Sequence, residues 1–353
     1  MPLSPHRVAA AAAVPPAPVA ESFVSIVESS SPSHRSVGVL GAALALLTAM
    51  LWGGTAVSNR IAVDTLPPVF VGGVRFGLAT LFMVAWCRLE GCPITITRSQ
   101  IRPVTILGVL LFLQISTFNW GLERSNSSHG TLFVNTFVFW VAAFEHFLLR
   151  TYRLRAIQLC GLLLAAGGVV LLLATTGDGA TMQRDVPTMA GDLFLLLSGF
   201  LLAIKVVFTR SAVNRMASGT LILWHDLIGT VLFFVYAATF EDFSHASAPP
   251  GVVAALLYAG LAVSGFCFAA QAWLLRHHSA SQISVFSFAT PVFGVAAGVM
   301  IRGDNLSSWL FLSGLCVAMG IVLVNRRGNG GGSAPRTENV EAPREENPQS
   351  AST

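Results

Sequence analysis

Five ionisable residues sit where ionisable residues are costly. Glu145, His146, Lys205, His225 and Asp226 fall inside long apolar runs of a 353-residue chain, and Arg75 lies about seven residues into another such run. Charge inside lipid is expensive and is kept chiefly for handling solutes or protons. Lys205 stands near the end of one run and Asp226 enters the next, antiparallel one, so the two can pair. Glu145 and His146 occupy the corresponding third of their own run. The five form a candidate cluster that gates one mouth of a pathway or exchanges a proton. The alternative is that Lys205 snorkels while Glu145 pairs with Arg150 or Arg153 at the interface. Arg75 and Asp226 match at an offset of 151 residues, but an estimated depth difference of about 10 Å argues against a direct bridge.

A second set is uncharged: Gln114, Asn119 and Trp120 in one run, Asn135 and Trp140 in the next, Gln271 and Trp273 in a later one. Asn135, Phe139, Ala142 and His146 follow i, i+4, i+7, i+11 spacing, one face of a helix. Amides orient a neutral or zwitterionic solute by hydrogen bonds, and indoles cover it with aromatic area. The competing role for such residues is to bond helix to helix.

Other chemistries lack their parts. Cys87, Cys92, Cys160, Cys267 and Cys316 have no metal-ligand spacing, so neither a structural disulfide, a metal nor any other cofactor is expected. Gly177-Asp178-Gly179 has the wrong order for an acid protease, and His277-His278-Ser279 has no evident partner. No glycine-rich phosphate loop is present, which excludes ATP-driven pumping. An enzyme is therefore not expected. A channel or receptor-like membrane protein is the alternative to a carrier.

The elements that hold these residues follow from composition. Charged residues make up 11% of the chain and hydrophobic ones 54%, with a mean hydropathy of +0.68. Soluble domains carry about 25% charged residues. The net charge of +4 comes from scattered arginines with no basic stripe, so no nucleic-acid partner is expected. Ten apolar stretches, at 37–57, 68–87, 103–122, 128–149, 156–175, 190–209, 219–240, 251–275, 280–301 and 306–324, approach the ~20 residues a helix needs to cross a bilayer. Residues 1–36 and 326–353 read as disordered tails. The prolines of the first tail break any signal-peptide core, although its shortage of acids faintly resembles a transit peptide.

Arginine placement orients the chain. With the N-terminus inside, the inner loops collect Arg88, Arg98, Arg102, Arg150, Arg153, Arg155, Arg210, Arg215 and Arg276, and the tails add Arg35, Arg326 and Arg327. The outer loops keep Arg60, Arg124, Arg184 and Arg302 with most of the loop acids. This bias puts both termini in the cytoplasm and the protein in the plasma (inner) membrane.

The two halves match at a nearly constant offset. Arg60 answers to Arg210, Trp120 to Trp273, Gly161 to Gly314 and Gly167 to Gly320, at 150 to 153 residues. An odd repeat of five spans must insert the second copy upside down. The expected fold is thus an all-α membrane protein of ten helices in two inverted repeats, 37–175 and 190–325, with a solute site where they meet. Gly73-x-x-x-Gly77 and Gly294-x-x-x-Gly298 supply faces for close helix approach.

At this point a family likeness appears. MLWGGTAVSNRIAVDTLPPVFVGGVRFGLATL, with Trp52-Gly53, Pro67-Pro68 and Arg75, resembles the opening of EamA-type proteins in the drug/metabolite transporter superfamily. Ser279, Ser281, Pro291, Gly303 and Asp304 resemble that family's second hallmark. Asp304 replaces the usual Glu, and in the first half Val138 and Thr151 replace the Pro and the acid. NTFVFWVAAFEHFLLR has no place in the pattern. The likeness spans 37–325. It implies a carrier of small organic metabolites (amino-acid-like, purine-like or toxic solutes) working by alternating access, as a monomer or homodimer in the lipid bilayer. It also adds Trp52 to the candidate binding residues and strengthens Arg75.

Overall fold

Lipid offers backbone groups no hydrogen bonds, so the apolar runs must satisfy their own as helices. In the computed structural model they do. The structure describes residues 38–148, 155–175, 186–213, 216–277, 286 and 289–325, and among these there is no β-strand. The tails, the loop arginines Arg150, Arg153, Arg184 and Arg215, and Thr151, Gly177-Asp178-Gly179, His278, Ser279 and Ser281 lie outside the described residues.

The chain runs α1 (Val39–Gly53), α2 (Thr55–Val63), α3 (Pro68–Glu90), α4 (Arg98–Glu123), α5 (Ser127–Asn135) and α6 (Phe137–Ala143), which ends in a π turn at Phe144–Leu148. Then follow α7 (Ala156–Thr175), α8 (Met189–Val213), α9 (Ser218–Phe240) and α10 (Pro250–Leu257). A π stretch, Tyr258–Cys267, leads from α10 into α11 (Phe268–His277); α12 (Ala289–Ala297) ends in a π turn at Gly298–Arg302, before α13 (Ser308–Asn325). Eight of the resulting helical segments are long and apolar enough to cross a membrane, and two apolar ones, Ala289–Arg302 and Ser308–Val324, are shorter. The chain is a multi-pass integral membrane protein.

Local chemistry sets the boundaries. Pro68 and Pro250 stand in the first turns of α3 and α10, where a missing N–H is harmless. Gly91 ends α3 at φ 70, a left-handed cap that favours glycine. Thr97 and Gln100 close a reciprocal capping box on α4, and Asn126 accepts from the His129 N–H to start α5.

One expected boundary falls short. The first span does not stop at 57 but continues through α2 to Val63. Asn59 and Arg60 depress the hydropathy there, yet both are buried, Asn59 against Asn119 and Arg60 against Asp64. Arg60 is therefore a helix residue and not one of a loop.

Two ends of the bundle differ. At the acidic end lie Asp64, Asp192, Glu241 and Asp304, tied together by loop contacts: Thr188 N donates to the Arg124 carbonyl, and Ser247 N to that of Thr65. The opposite, arginine end carries Arg88, Arg98 and Arg155. The first helical pair ends at the acidic end, whereas α8 begins there.

The halves pack across one another. α3 lies along α9, α4 along α8, α1 along α12 and α7 along α13. Glycine permits the closest of these approaches. A Cβ at Gly53 would come within 2.9 Å of the Gly294 backbone, and one at Gly161 within 3.0 Å of the Gly320 carbonyl. Gly167, matched in sequence to Gly320, faces open space, and it is Gly168 that abuts α13. The π turns at Phe144–Leu148 and Gly298–Arg302 stand 154 residues apart, close to the offset of the sequence repeat.

Candidate solute-binding site

Arg75 enters the interior from α3 and is 5% exposed. Its Nε donates to Ser264 Oγ on the π stretch at 2.8 Å, and the guanidinium lies 5.0 Å from the centre of the Phe76 ring. Its Nη1 is buried without a partner. A five-donor fork held by one bond and one ring keeps its remaining edge for something else.

Asp226, on α9, is fully buried, and neither carboxylate oxygen has a hydrogen-bond partner. His225 Nδ1 stands 3.4 Å from Oδ1, and that nitrogen is hydrogen-bonded to the Ile222 carbonyl at 2.8 Å. Lys205, on α8, donates to Gln114 Oε1 at 3.3 Å. Gln114 Nε2 in turn donates to Ser198 Oγ at 3.0 Å, and Ser198 donates to the Gln114 carbonyl. Arg75 and Asp226 do not touch, but Asp226 lies within electrostatic reach of both Arg75 and Lys205. Burying an unpaired carboxylate and half a guanidinium destabilises the resting protein by several kcal/mol (roughly). Such an arrangement persists where a ligand or a proton completes it.

The remaining candidates scatter. Trp140 packs edge-on against Phe200 of α8 at 5.3 Å and keeps a buried, unbonded Nε1, so it faces the same helix that carries Lys205. Asn119 accepts from Asn59 and donates to the Pro68 carbonyl, tying α4 to α2 and α3. Asn135 donates to Thr131 of its own helix. The face of Asn135, Phe139, Ala142 and His146 is broken at Thr136 and again by the π turn, and Phe139 and Ala142 pack on Ala165, Val317 and Ile321. Trp120 meets Phe194 and Tyr236 near the acidic end. Trp52 meets Phe268, half-buried Gln271 stands on α11, and Trp273 packs by Ala45 and Leu274 toward the arginine end. Glu145 and His146 occupy the half-buried π turn.

Ser198 and Ser264 escaped the sequence reading. Each opens a Ser-Gly-Phe tripeptide, is fully buried, and holds one arm of the charged set. That repeated tripeptide was the available signal. A cavity of about 520 Å³, lined by Gly54, Tyr258, Phe293 and Met300, lies between α1, α2, α10 and α12.

The acidic end is built differently. Asp304 Oδ2 accepts from both N–H and Oγ of Ser128, capping α5 at 2.7 Å. Asp192 accepts from Ser125 Oγ at 2.6 Å and meets His129 Nδ1 at 2.9 Å. Asp64 bridges Arg60 and Arg302. Glu241 accepts from the Val69 and Phe70 N–H groups; burial raises its pKa, and these two bonds pull it back in part.

Comparisons with known proteins agree with this architecture. The chain is 22% identical over 277 residues to the uncharacterized transporter YoaV of Bacillus subtilis, covering 78% of this chain and 92% of that protein. It is 24% identical over 296 residues to a probable amino-acid metabolite efflux pump of Escherichia coli, covering 79% and 93%. A solved crystal structure shares the fold at a TM-score of 0.59 and 17% identity, covering 80% of this chain and 95% of the other. The sequence profile of the EamA-like transporter family matches residues 39–174 and 189–326, one half of the bundle each, and the chain belongs to that family.

Proposed function

We propose that the protein is a secondary carrier of small organic solutes, built as ten membrane helices in two inverted five-helix repeats (37–175 and 190–325) and working by alternating access. The carrying observation is the pair Arg75 and Asp226: buried, opposite in charge, short of partners, and contributed by the second helix of each half. Inverted halves bring such mates toward the midplane from opposite ends, where carriers of this plan bind solute. The reversed direction of α8 relative to the first helical pair and the two matching π turns support the same plan.

The binding set is Arg75, Gln114, Lys205 and Asp226, with Trp140 and Trp52 as aromatic cover. His225, Glu145 and His146 serve the gate on the arginine side. Buried Ser125, Asn126, Ser128, Asp192 and Asp304 seal the acidic end, so this is the state closed to the outside, with the arginine end and both termini cytoplasmic. An amino-acid-like solute fits best, because a relative is named for amino-acid metabolite efflux and the site offers both signs of charge.

Reconstitution into proteoliposomes tests the reading. A carrier gives saturable flux and counterflow of preloaded radiolabelled amino acids, lost at least tenfold in Arg75→Gln. Flux that rises linearly with concentration and shows no counterflow would identify a pore, and would overturn the proposal.

A further inference from the structure

The central charges do not balance. In their ionised forms Arg75 and Lys205 contribute two positive charges and Asp226 one negative, and these are the buried charges that bear on one another. The other buried acids are engaged elsewhere: Asp192 by Ser125 and His129, Asp304 by Ser128. His225 turns its Nδ1 to the Ile222 carbonyl, and Gln114, Ser198 and Ser264 are neutral. The site thus holds one excess positive charge in a medium where a single charge is very costly. The geometry is also divided in kind. Arg75 presents an unbonded buried N–H edge, and Asp226 presents two unbonded oxygens. One end calls for an oxyanion, and the other for an N–H or O–H donor.

We propose that this site takes organic solutes of net charge −1, seating a carboxylate or equivalent oxyanion on Arg75 and Lys205 and a hydrogen-bond-donating end on Asp226. The inference rests on the carrier reading and narrows its substrate class. A zwitterion would leave the excess charge in place, and a cation would double it. Only the monoanion closes the site neutral. The empty carrier must then take an uncompensated charge through its occluded state, so it returns slowly. The protein therefore exchanges solute for solute far faster than it releases it.

The test uses isosteric pairs that differ by one charge: glutamate against glutamine, aspartate against asparagine, and lactate against lactamide. Binding is read as thermal stabilisation of the purified full-length protein in detergent, and flux is read in proteoliposomes. The anionic member of at least one pair should bind about tenfold tighter or better. Lys205→Met, which removes the excess charge, should erase or reverse that order. Asp226→Asn, which raises the excess to two, should tighten simple anions such as lactate, and a folding defect cannot produce opposite shifts in two variants. Counterflow should exceed net efflux at least tenfold. The proposal is overturned if the amides bind as well as the acids, if no anion binds, or if the two variants shift the preference the same way. Anion binding with no flux would keep the anion site and refute the carrier reading, whereas saturable flux of neutral solutes would do the reverse.

Discussion

Asp226 and Asp192 are both fully buried, and there the likeness ends. Asp192 is met by a serine and a histidine at hydrogen-bonding distance, whereas Asp226 accepts none. The same contrast separates Arg302, bridged to the Asp64 carboxylate at 2.7 Å, from Arg75, which meets a serine hydroxyl and an aromatic ring but no carboxylate. At the acidic end each carboxylate is matched to a helix terminus, an arginine or side-chain donors, and the match fixes how segments meet. In the middle the charges are held in place by neutral serines and an amide, which orient them without neutralising them. Buried charge that is paired serves the fold; buried charge that is positioned but unpaired is what the proposed carrier would use to hold its solute.

This contrast can be broken by substitution. The largest effect on stability belongs to Asp192→Ala, which strips His129 and Ser125 of a shared partner. It should lower unfolding stability by about 3 kcal/mol, read as a clear drop in melting temperature in detergent. Asp226→Asn, in contrast, strips no neighbour of a hydrogen-bond acceptor and should lower the melting temperature by far less. Equal losses in the two variants would erase the distinction drawn here. Next comes Asp304→Ala, which uncaps α5 and should cost about 1–2 kcal/mol, with no change in solute preference.

The smallest effect is the pH response of Glu241. Its pKa is raised in the folded protein because it is buried, so the native state holds its proton more firmly than the unfolded chain does. Its contribution is therefore fully present below the ordinary carboxylate pKa and declines as pH rises through the higher folded value. Melting temperature measured across mildly acidic pH should fall slightly with rising pH in the wild type, and less in Glu241→Gln.

Hydropathy made the membrane helices legible, because lipid permits almost nothing else from long apolar runs. It failed where polar residues are buried with partners. Asn59 and Arg60 look like a span ending and are its interior. The same blindness affected the site. Asn119 reads as a solute ligand, but both ends of its amide are engaged by neighbouring helices, which only the three-dimensional arrangement reveals. Ser198 and Ser264 carry too little chemistry to be noticed singly. Trp120 and Trp273 match in sequence and yet lie toward opposite ends of the bundle, which is what the proposed inversion of the halves requires. Arg75, Lys205 and Asp226 were visible because ionised groups in such runs have few reasons to exist.

The joint between α1 and α2 has a mechanical consequence. The Tyr258 hydroxyl, from another helix, donates to the Leu51 carbonyl at 2.7 Å, and a Cβ on Gly54 would strike that hydroxyl. The joint is thus fastened by a side chain that belongs to another helix. A single methyl group at position 54 would push the phenol ring aside and unfasten that tie.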